Sequence, residues 1–235
     1  MKIRINGQLL LLMLTEMLLK AGAHLKQLNT DGILYTIPKD VDYESILKKW
    51  EDITKLSLET EEYEAFYQFA INDYIAVGKG YSETKDKKLI KQKGLFIDKV
   101  SLGKGMQPMI IPKALNAYFV DGIPVAEAIR NCKDINDFIT YQKADKKFSV
   151  EYEGKLISRI NRYYASTNGA YLYKCVVDGK YRNNYTNMLK ASGVTLVNNL
   201  EDIKEFPNNV NYAYYIVECN KITAQFNNVQ LNLFD

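Results

Sequence analysis

The sequence predicts an α+β protein that begins with a helix and continues largely as antiparallel strands. Three observations support this class: an early apolar run of helical length, alternating segments separated by Gly-containing turns, and segments of helical spacing between them. Hydrophobic residues make up 47% of the 235 residues, which is enough for a core and too many for a disordered chain. We therefore expect one large domain or two small ones.

The first expected element is a helix over about residues 6–21, within MKIRINGQLLLLMLTEMLLKAGA. Lys2 and Arg4 before an apolar run imitate a signal peptide. Glu16, however, interrupts the run, which is also too short to span a bilayer. Because this helix is apolar over most of its surface, we expect it to be a buried core helix. Its position near residue 1 predicts a fragment, or a partner domain upstream.

A β-hairpin is expected next, in HLKQLNTDGILYTIP, with strands near residues 25–28 and 33–37. Asp31 and Gly32 lie between the two β-prone runs, and Gly tolerates the positive φ of a tight turn. Pro38 ends the second strand, since proline cannot donate a hydrogen bond into a sheet. The hairpin is either purely structural or holds the Asp31 carboxylate where a metal ion can reach it.

The next segments complete a first unit. DVDYESILKKWEDITKL has helical spacing, and Asp42 is placed to cap the helix start. LETEEYEAFYQFAINDYIAVGK predicts one or two strands, and LIKQKGLFI predicts another strand after a Lys-rich turn. Up to residue 97 the pattern is therefore an α+β unit built on an antiparallel sheet.

A second unit, of mixed α/β character, is expected over residues 98–226, followed by a tail over residues 227–235. PMIIPKALNAYFVDG and PVAEAIRNC predict helices with Pro112 and Pro124 in their first turns, and INDFITYQKA extends the helical run. The following alternating segment predicts β-hairpins, before a strand in VTLVNNL and a last helix in VNYAYYIVECNKITAQF. The expected hairpin turns lie at Gly154, at Asn168 and Gly169, and at Asp178 and Gly179.

Composition limits the chemistry. One His and three Cys without a C-x-x-C pair leave little room for zinc sites or a His-based triad, and they suit a reducing compartment. Charge is unevenly distributed: residues 40–64 carry nine acids and three bases, whereas residues 79–113 carry nine bases and three acids. A second basic region covers about residues 130–190. Interleaved Tyr and Lys or Arg are typical of a groove that follows a nucleic-acid backbone, the alternative being solvated surface.

Several of these segments resemble the C-terminal part of family B DNA polymerases of the bacteriophage type. INGQLLLLMLTEMLLKAGAHLKQLNTDGILYTIPKD is similar to the palm region around motif C of that family. INDYIAVGKG followed by IKQKGLF is similar to the next strand pair, which contacts the primer–template, and ISRINRYYASTNGAYLY is similar to the thumb. The resemblance implies half of a palm over residues 1–97 and a thumb-like DNA-binding subdomain over residues 98–226.

The resemblance implies that Asp31 is catalytic and binds Mg²⁺ or Mn²⁺, because it matches the second Asp of the family's D-T-D motif. Asn29 stands where the family usually has the first Asp, which makes it at most an accessory ligand. Nucleotidyl transfer from dNTPs uses two metal ions about 3.5–4 Å apart. Since the family's motifs A and B lie upstream of motif C, we expect the isolated chain not to polymerise DNA.

The expected duplex contact is the strand that contains Lys91 and Lys93. Residues two apart on a strand project from one face, and Gly94 permits close backbone approach. The resemblance places this face on the primer–template, with Asn72 and Tyr74 on the neighbouring strand. Such phosphate contacts position a duplex without reading its sequence. The alternative is a solvated edge strand that its lysines protect from association.

Two further contacts are implied by resemblance. Arg159 and Arg162 would bind DNA from the thumb, where the adjacent Tyr163 and Tyr164 either join them or pack in the core. At the C-terminus, NNVQLNLFD resembles the Q-L-x-L-F peptide by which replication proteins bind the β sliding clamp. The residues that match are Gln230, Leu231, Leu233 and Phe234. The alternative for this tail is that its Leu and Phe pack on the thumb.

The resemblance thus predicts part of a DNA-directed DNA polymerase that acts in the cytoplasm of a bacterial host, encoded by a phage or prophage, with no membrane partner. The alternative is a non-catalytic nucleic-acid-binding module or a degenerate prophage remnant.

Overall fold

The computed structural model describes residues 2–29, 32–99, 107–199, 203 and 205–227, with the backbone alone for residues 2–4. In this part the chain has six α-helices and four antiparallel sheets, so the predicted α+β class is confirmed. The chain divides into two compact units, Met1–Glu61 and Glu62–Asp235.

The first unit contains two helices and a hairpin. Its elements are α1 (Lys2–Lys20), β1 (His24–Leu28), β2 (Ile33–Thr36) and α2 (Tyr43–Thr54). Leu14 and Leu18 of α1 and Trp50 of α2 form its small core. The indole Nε1 of Trp50 also donates a hydrogen bond of 2.8 Å to the carbonyl oxygen of Leu10, which ties α2 to α1.

Asp42 caps α2, as the sequence predicts. Its carboxylate accepts hydrogen bonds from the backbone N of Ser45 at 3.1 Å and from the Ser45 hydroxyl at 2.5 Å. These bonds hold the pKa of Asp42 below its usual value. We expect Asp42→Ala to lower the free energy of unfolding of this unit, because an N-terminal N–H of the helix loses its acceptor. Urea unfolding followed by Trp50 fluorescence measures this, and Asp42→Asn, expected to retain most of the stability, is the control.

The prediction that the first helix is buried over most of its surface is wrong. Leu14 and Leu18 are buried, whereas Leu9 is 59% exposed and Ile5, Leu12 and Leu19 are each close to half exposed. Among the described residues of this unit, the core around Leu14 and Leu18 is formed with α2, the hairpin and Leu58, which cover one side of α1. No helix in the described part of the chain combines the length and apolar character that crossing a membrane requires.

The second unit contains three sheets and four helices. Its strands are β3 (Tyr63–Ala70), β4 (Asp73–Gly78), β5 (Ile90–Lys93), β6 (Thr140–Lys143), β7 (Ser149–Tyr152), β8 (Lys155–Ile157), β9 (Ile160–Ala170), β10 (Leu172–Asp178), β11 (Tyr181–Asn187) and β12 (Val194–Leu196). Its helices are α3 (Tyr81–Thr84), α4 (Ile110–Asp121), α5 (Val125–Asn131) and α6 (Tyr212–Asn227). The strand orders are β3-β4-β5, β12-β9-β6 and β11-β10-β7-β8.

One large core joins the sheet β3-β4-β5 to the helices that follow it. Ile75 of β4 and Phe96 after β5 pack in the same cluster as Leu115 of α4, Ile129 of α5 and Tyr215 of α6. The boundary between the two compact units lies between residues 61 and 62. It does not coincide with the predicted subdomain boundary between residues 97 and 98. That boundary, predicted from the change of sequence pattern near residue 97, stays a prediction.

Tyr215 links three elements of this core. It is 1% exposed, and its hydroxyl donates a hydrogen bond of 2.8 Å to the carbonyl oxygen of Phe138. The same hydroxyl accepts a hydrogen bond of 2.8 Å from the backbone N of Ala165 in β9. Burial raises the pKa of Tyr215, so the hydroxyl keeps the proton that it donates.

Two predicted elements are wrong. The expected helical run in INDFITYQKA is a 3₁₀ turn, Ile135–Phe138, followed by β6, which pairs with β9. The expected hairpin at Asn168 and Gly169 does not form, since β9 continues to Ala170 and pairs with β6 and β12 rather than with β10. The hairpin turns at Gly154 and Gly179 are confirmed.

The edge strand β11 is exposed along its whole length. Its pairing with β10 is irregular between Lys174 and Val176, and Asn184 has a positive φ of 52°. The edge of this sheet is therefore locally distorted.

Candidate nucleic-acid interface

The candidate interface is the outer face of the sheet β3-β4-β5. Tyr74 pairs with Lys93 and Ala76 pairs with Lys91, so these four side chains share one face of the sheet. Ile75, which alternates with them on β4, lies in the core on the other face. The predicted strand and the common direction of Lys91 and Lys93 are thus confirmed, and both lysines are exposed. Their binding to DNA stays a prediction.

An aromatic row crosses the same face. The rings of Phe66 and Tyr74 stack with centroids 5.0 Å apart and an interplanar angle of 28°. Tyr63 lies next to Phe66 at 5.7 Å, and the Lys93 ammonium lies 5.8 Å from the centroid of the Tyr74 ring. This cation–π contact holds the Lys93 ammonium beside an aromatic ring on the same face of the sheet.

Acidic side chains on β3 and just before it have local partners. Glu62 forms an ion pair with Lys79, and its hydrogen bond to the Lys79 ammonium raises the pKa of that lysine. Glu64 accepts hydrogen bonds from the backbone N of Gly80 at 2.7 Å and from Ser82. The bond from the Ser82 hydroxyl is the main cause of the lowered pKa of Glu64. These carboxylates therefore bind neighbouring groups of the same unit. They lie at the end of the sheet opposite Lys93.

Gly94 has a structural reason to be glycine. Its φ is +63°, and a Cβ there would lie 2.0 Å from the Asp73 carboxylate and 2.3 Å from the carbonyl oxygen of Asn72. The same carboxylate of Asp73 accepts a hydrogen bond of 2.9 Å from the backbone N of Leu95. The close approach at Gly94 is thus to the β3–β4 turn, where Asn72 is exposed. An approach of DNA at this glycine stays a prediction.

Arg159 and Arg162 lie elsewhere in the second unit, in or next to β9. Both are exposed, and the Arg162 guanidinium lies 5.3 Å from the ring centroid of Tyr141. Tyr163 and Tyr164 are buried, at 0% and 3% exposure, so they pack in the core as one of the two interpretations predicted. The arginines therefore belong to another sheet than Lys91 and Lys93.

The predicted hairpin of the first unit is present. Its tip is closed by a hydrogen bond of 2.8 Å from the backbone N of Asn29 to the carbonyl oxygen of Gly32. The side-chain oxygen of Asn29 accepts a hydrogen bond of 2.7 Å from Gln27 Nε2. Asp31 lies outside the described residues, so its role as a metal ligand stays a prediction. Among the described residues no three His, Cys, Asp or Glu side chains are grouped as metal ligands.

The residues predicted to bind the sliding clamp, Gln230, Leu231, Leu233 and Phe234, also lie outside the described residues, so this role stays a prediction. Comparison of the chain with models of protein families, with curated proteins and with solved structures finds no match.

Sequence reasoning missed Phe66 and Tyr63 as members of the interface. The alternation of Glu64, Phe66 and Gln68 along β3 was the available signal for Phe66. Tyr63 breaks this alternation because the pairing of β3 with β4 is irregular between Tyr63 and Ala65. Such a bulge brings a residue of the opposite parity near the same face.

Proposed function

We propose that this chain is the palm and thumb part of a phage-type family B DNA polymerase, and that the outer face of β3-β4-β5 holds the primer–template duplex. The observation that carries this proposal is the alignment of Lys91 and Lys93, both exposed, beside Tyr74 on one face. Residues two apart on a strand are about 6.7 Å apart. Each strand of B-DNA has one phosphate per about 3.4 Å of helix axis, so two ammonium groups at this spacing can contact phosphates of the same strand.

In this proposal the two units have different tasks. The hairpin of the first unit presents Asp31, which would hold the Mg²⁺ or Mn²⁺ that stabilises the charge on the transferred phosphoryl group when bound. Lys91 and Lys93 hold the duplex in register by phosphate contacts, and Arg159 and Arg162 bind it at a second place. The full-length enzyme would use dNTPs in the host cytoplasm and bind the β sliding clamp through its C-terminal tail.

The proposal predicts salt-sensitive DNA binding that depends on two lysines. We expect the Lys91→Ala, Lys93→Ala double variant to bind a fluorescent primer–template duplex more weakly than the original chain. The slope of log K against log salt concentration should fall by up to about two, because up to two phosphate contacts are lost. Fluorescence anisotropy across a salt series measures both quantities.

The matched control removes two other lysines of the second unit, both outside the strand β5. Lys79 and Lys221 form ion pairs with Glu62 and Glu218. The Lys79→Ala, Lys221→Ala variant has the same net charge as the test variant, and we expect it to keep the slope. An unchanged slope in the Lys91, Lys93 variant, or an equal loss in both variants, contradicts the proposed contact.

A further inference from the structure

A second aromatic surface lies on the four-stranded sheet β11-β10-β7-β8. One face of this sheet is covered, since Val150 and Leu172 pack with Tyr163 and Val194 in a separate core. On the other face lie Tyr171, Tyr173 and Tyr185, which we call the tyrosine face. Tyr171 is 45% exposed and Tyr185 is 46% exposed.

The three rings of the tyrosine face form a row. The centroids of Tyr171 and Tyr173 are 5.9 Å apart, and those of Tyr173 and Tyr185 are 5.5 Å apart with an interplanar angle of 88°. Tyr173 is paired across the strands with Glu151. The Tyr185 hydroxyl donates a hydrogen bond of 3.0 Å to the carboxylate of that same Glu151, which fixes the ring.

The carboxylate that lies within the row is paired with a guanidinium. The carboxylate of Glu151 accepts a hydrogen bond of 2.7 Å from Arg182 Nη1, and this bond is the main cause of its lowered pKa. Glu151 is therefore neutralised within the face. Lys180, in the turn before β11, is exposed, so a cationic side chain lies at the same end of β11 as the Arg182–Glu151 pair.

We infer that the tyrosine face binds single-stranded DNA. Unpaired bases stack on exposed aromatic rings, and small sheets of other proteins bind two or three bases in this way. A duplex cannot use such rings, because its base faces are already stacked. Cross-strand stabilisation of the sheet explains why the rings touch. It does not require that Tyr171 and Tyr185 keep nearly half of their surface exposed. The choice of DNA over RNA rests on the proposed function.

The test compares a fluorescent dT15 oligonucleotide with a blunt duplex in anisotropy titrations. We expect the Tyr171→Ala, Tyr185→Ala variant to bind dT15 at least about 20-fold more weakly, since each stacked base contributes roughly fivefold or more. Its binding to the duplex should stay within about threefold. The control, Tyr171→Phe with Tyr185→Phe, keeps both rings and loses the hydroxyl bond to Glu151, and we expect it to bind dT15 almost as well as the original chain.

Retained dT15 binding in the alanine variant, or an equal loss in the phenylalanine variant, overturns the inference. Tighter binding of rU15 than of dT15 overturns its choice of DNA. If the alanine variant does not fold, crosslinking of iododeoxyuridine-substituted dT15 to the original chain decides: crosslinks in residues 171–185 support the inference, and crosslinks elsewhere overturn it. The Lys91, Lys93 variant should bind the duplex more weakly and keep dT15 binding, so failure of the proposed duplex contact is measured separately.

Discussion

Replacing Tyr215 by phenylalanine should destabilise the second unit by about 2–4 kcal/mol, although only one oxygen atom is removed. That oxygen bonds two backbone groups, the carbonyl of Phe138 and the N–H of Ala165, each at 2.8 Å. Both lie where water has no access, since Phe138 and Ala165 are 0% exposed. An unpaired buried backbone group costs about 1–3 kcal/mol, so the loss of both partners explains the expected size.

Urea unfolding monitored by far-UV circular dichroism measures this change. The matched control is Tyr214→Phe on the same helix, because no backbone group among the described residues is hydrogen-bonded to the Tyr214 hydroxyl. We expect that control to cost less than about 1 kcal/mol. Equal midpoints for Tyr215→Phe and the original chain would contradict the assigned role of the hydroxyl.

Gly94→Ala should also cost about 2–4 kcal/mol and should weaken binding of the primer–template duplex. An alanine at a φ of +63° is strained by roughly 1–2 kcal/mol. Its Cβ would in addition lie 2.3 Å from the carbonyl oxygen of Asn72, so the β3–β4 turn or the end of β5 must shift. Lys93 immediately precedes this position, and we therefore expect stability and binding to fall together.

Gly179→Ala is the control for Gly94→Ala. Gly179 has a similar φ of +57°, but a Cβ there would meet no atom within 4 Å. We expect this control to show the backbone strain alone, about 1 kcal/mol, and to leave duplex binding unchanged. If both variants lose the same stability in urea unfolding, the close contact at Gly94 has no energetic effect.

Local sequence signals predicted local structure well. The helix α2 could be located because Asp42 offers a capping carboxylate and Trp50 lies on an apolar side of a 3.6-residue period. The direction of Lys91 and Lys93 followed from the two-residue period of a strand. These features depend on neighbours within a few residues, which the sequence shows directly.

The wrong predictions of secondary structure concern segments whose partner strands are distant in the sequence. Thr140–Lys143 was assigned to a helix because nothing near it in sequence reveals its partner, β9, which begins at Ile160. The sequence pattern predicts a hairpin turn at Gly169. Instead, a Cβ there would lie 2.1 Å from the carbonyl oxygen of Val194, so glycine is needed for the close packing of two strands. A glycine that permits close approach and one that permits a turn look the same in a sequence.

For the same reason, the sequence predicts only some residues of the candidate interface. The lysines were found from their spacing within one strand, whereas the stacking of Phe66 on Tyr74 depends on how β3 and β4 are aligned. That alignment includes two irregular positions, which no alternation pattern can anticipate. On this face, the common direction of the lysines followed from one strand, whereas the aromatic stacking needed the alignment of two.

The distorted edge of β11 has a consequence for the self-association of this protein at high concentration. A fully exposed, regular edge strand offers its amide groups to any other extended chain and can seed fibrils. Here the positive φ at Asn184 and the irregular pairing near Lys174 interrupt that row of amides partway along. A second copy that paired with β11 would meet this interruption, which disfavours edge-to-edge association through this strand.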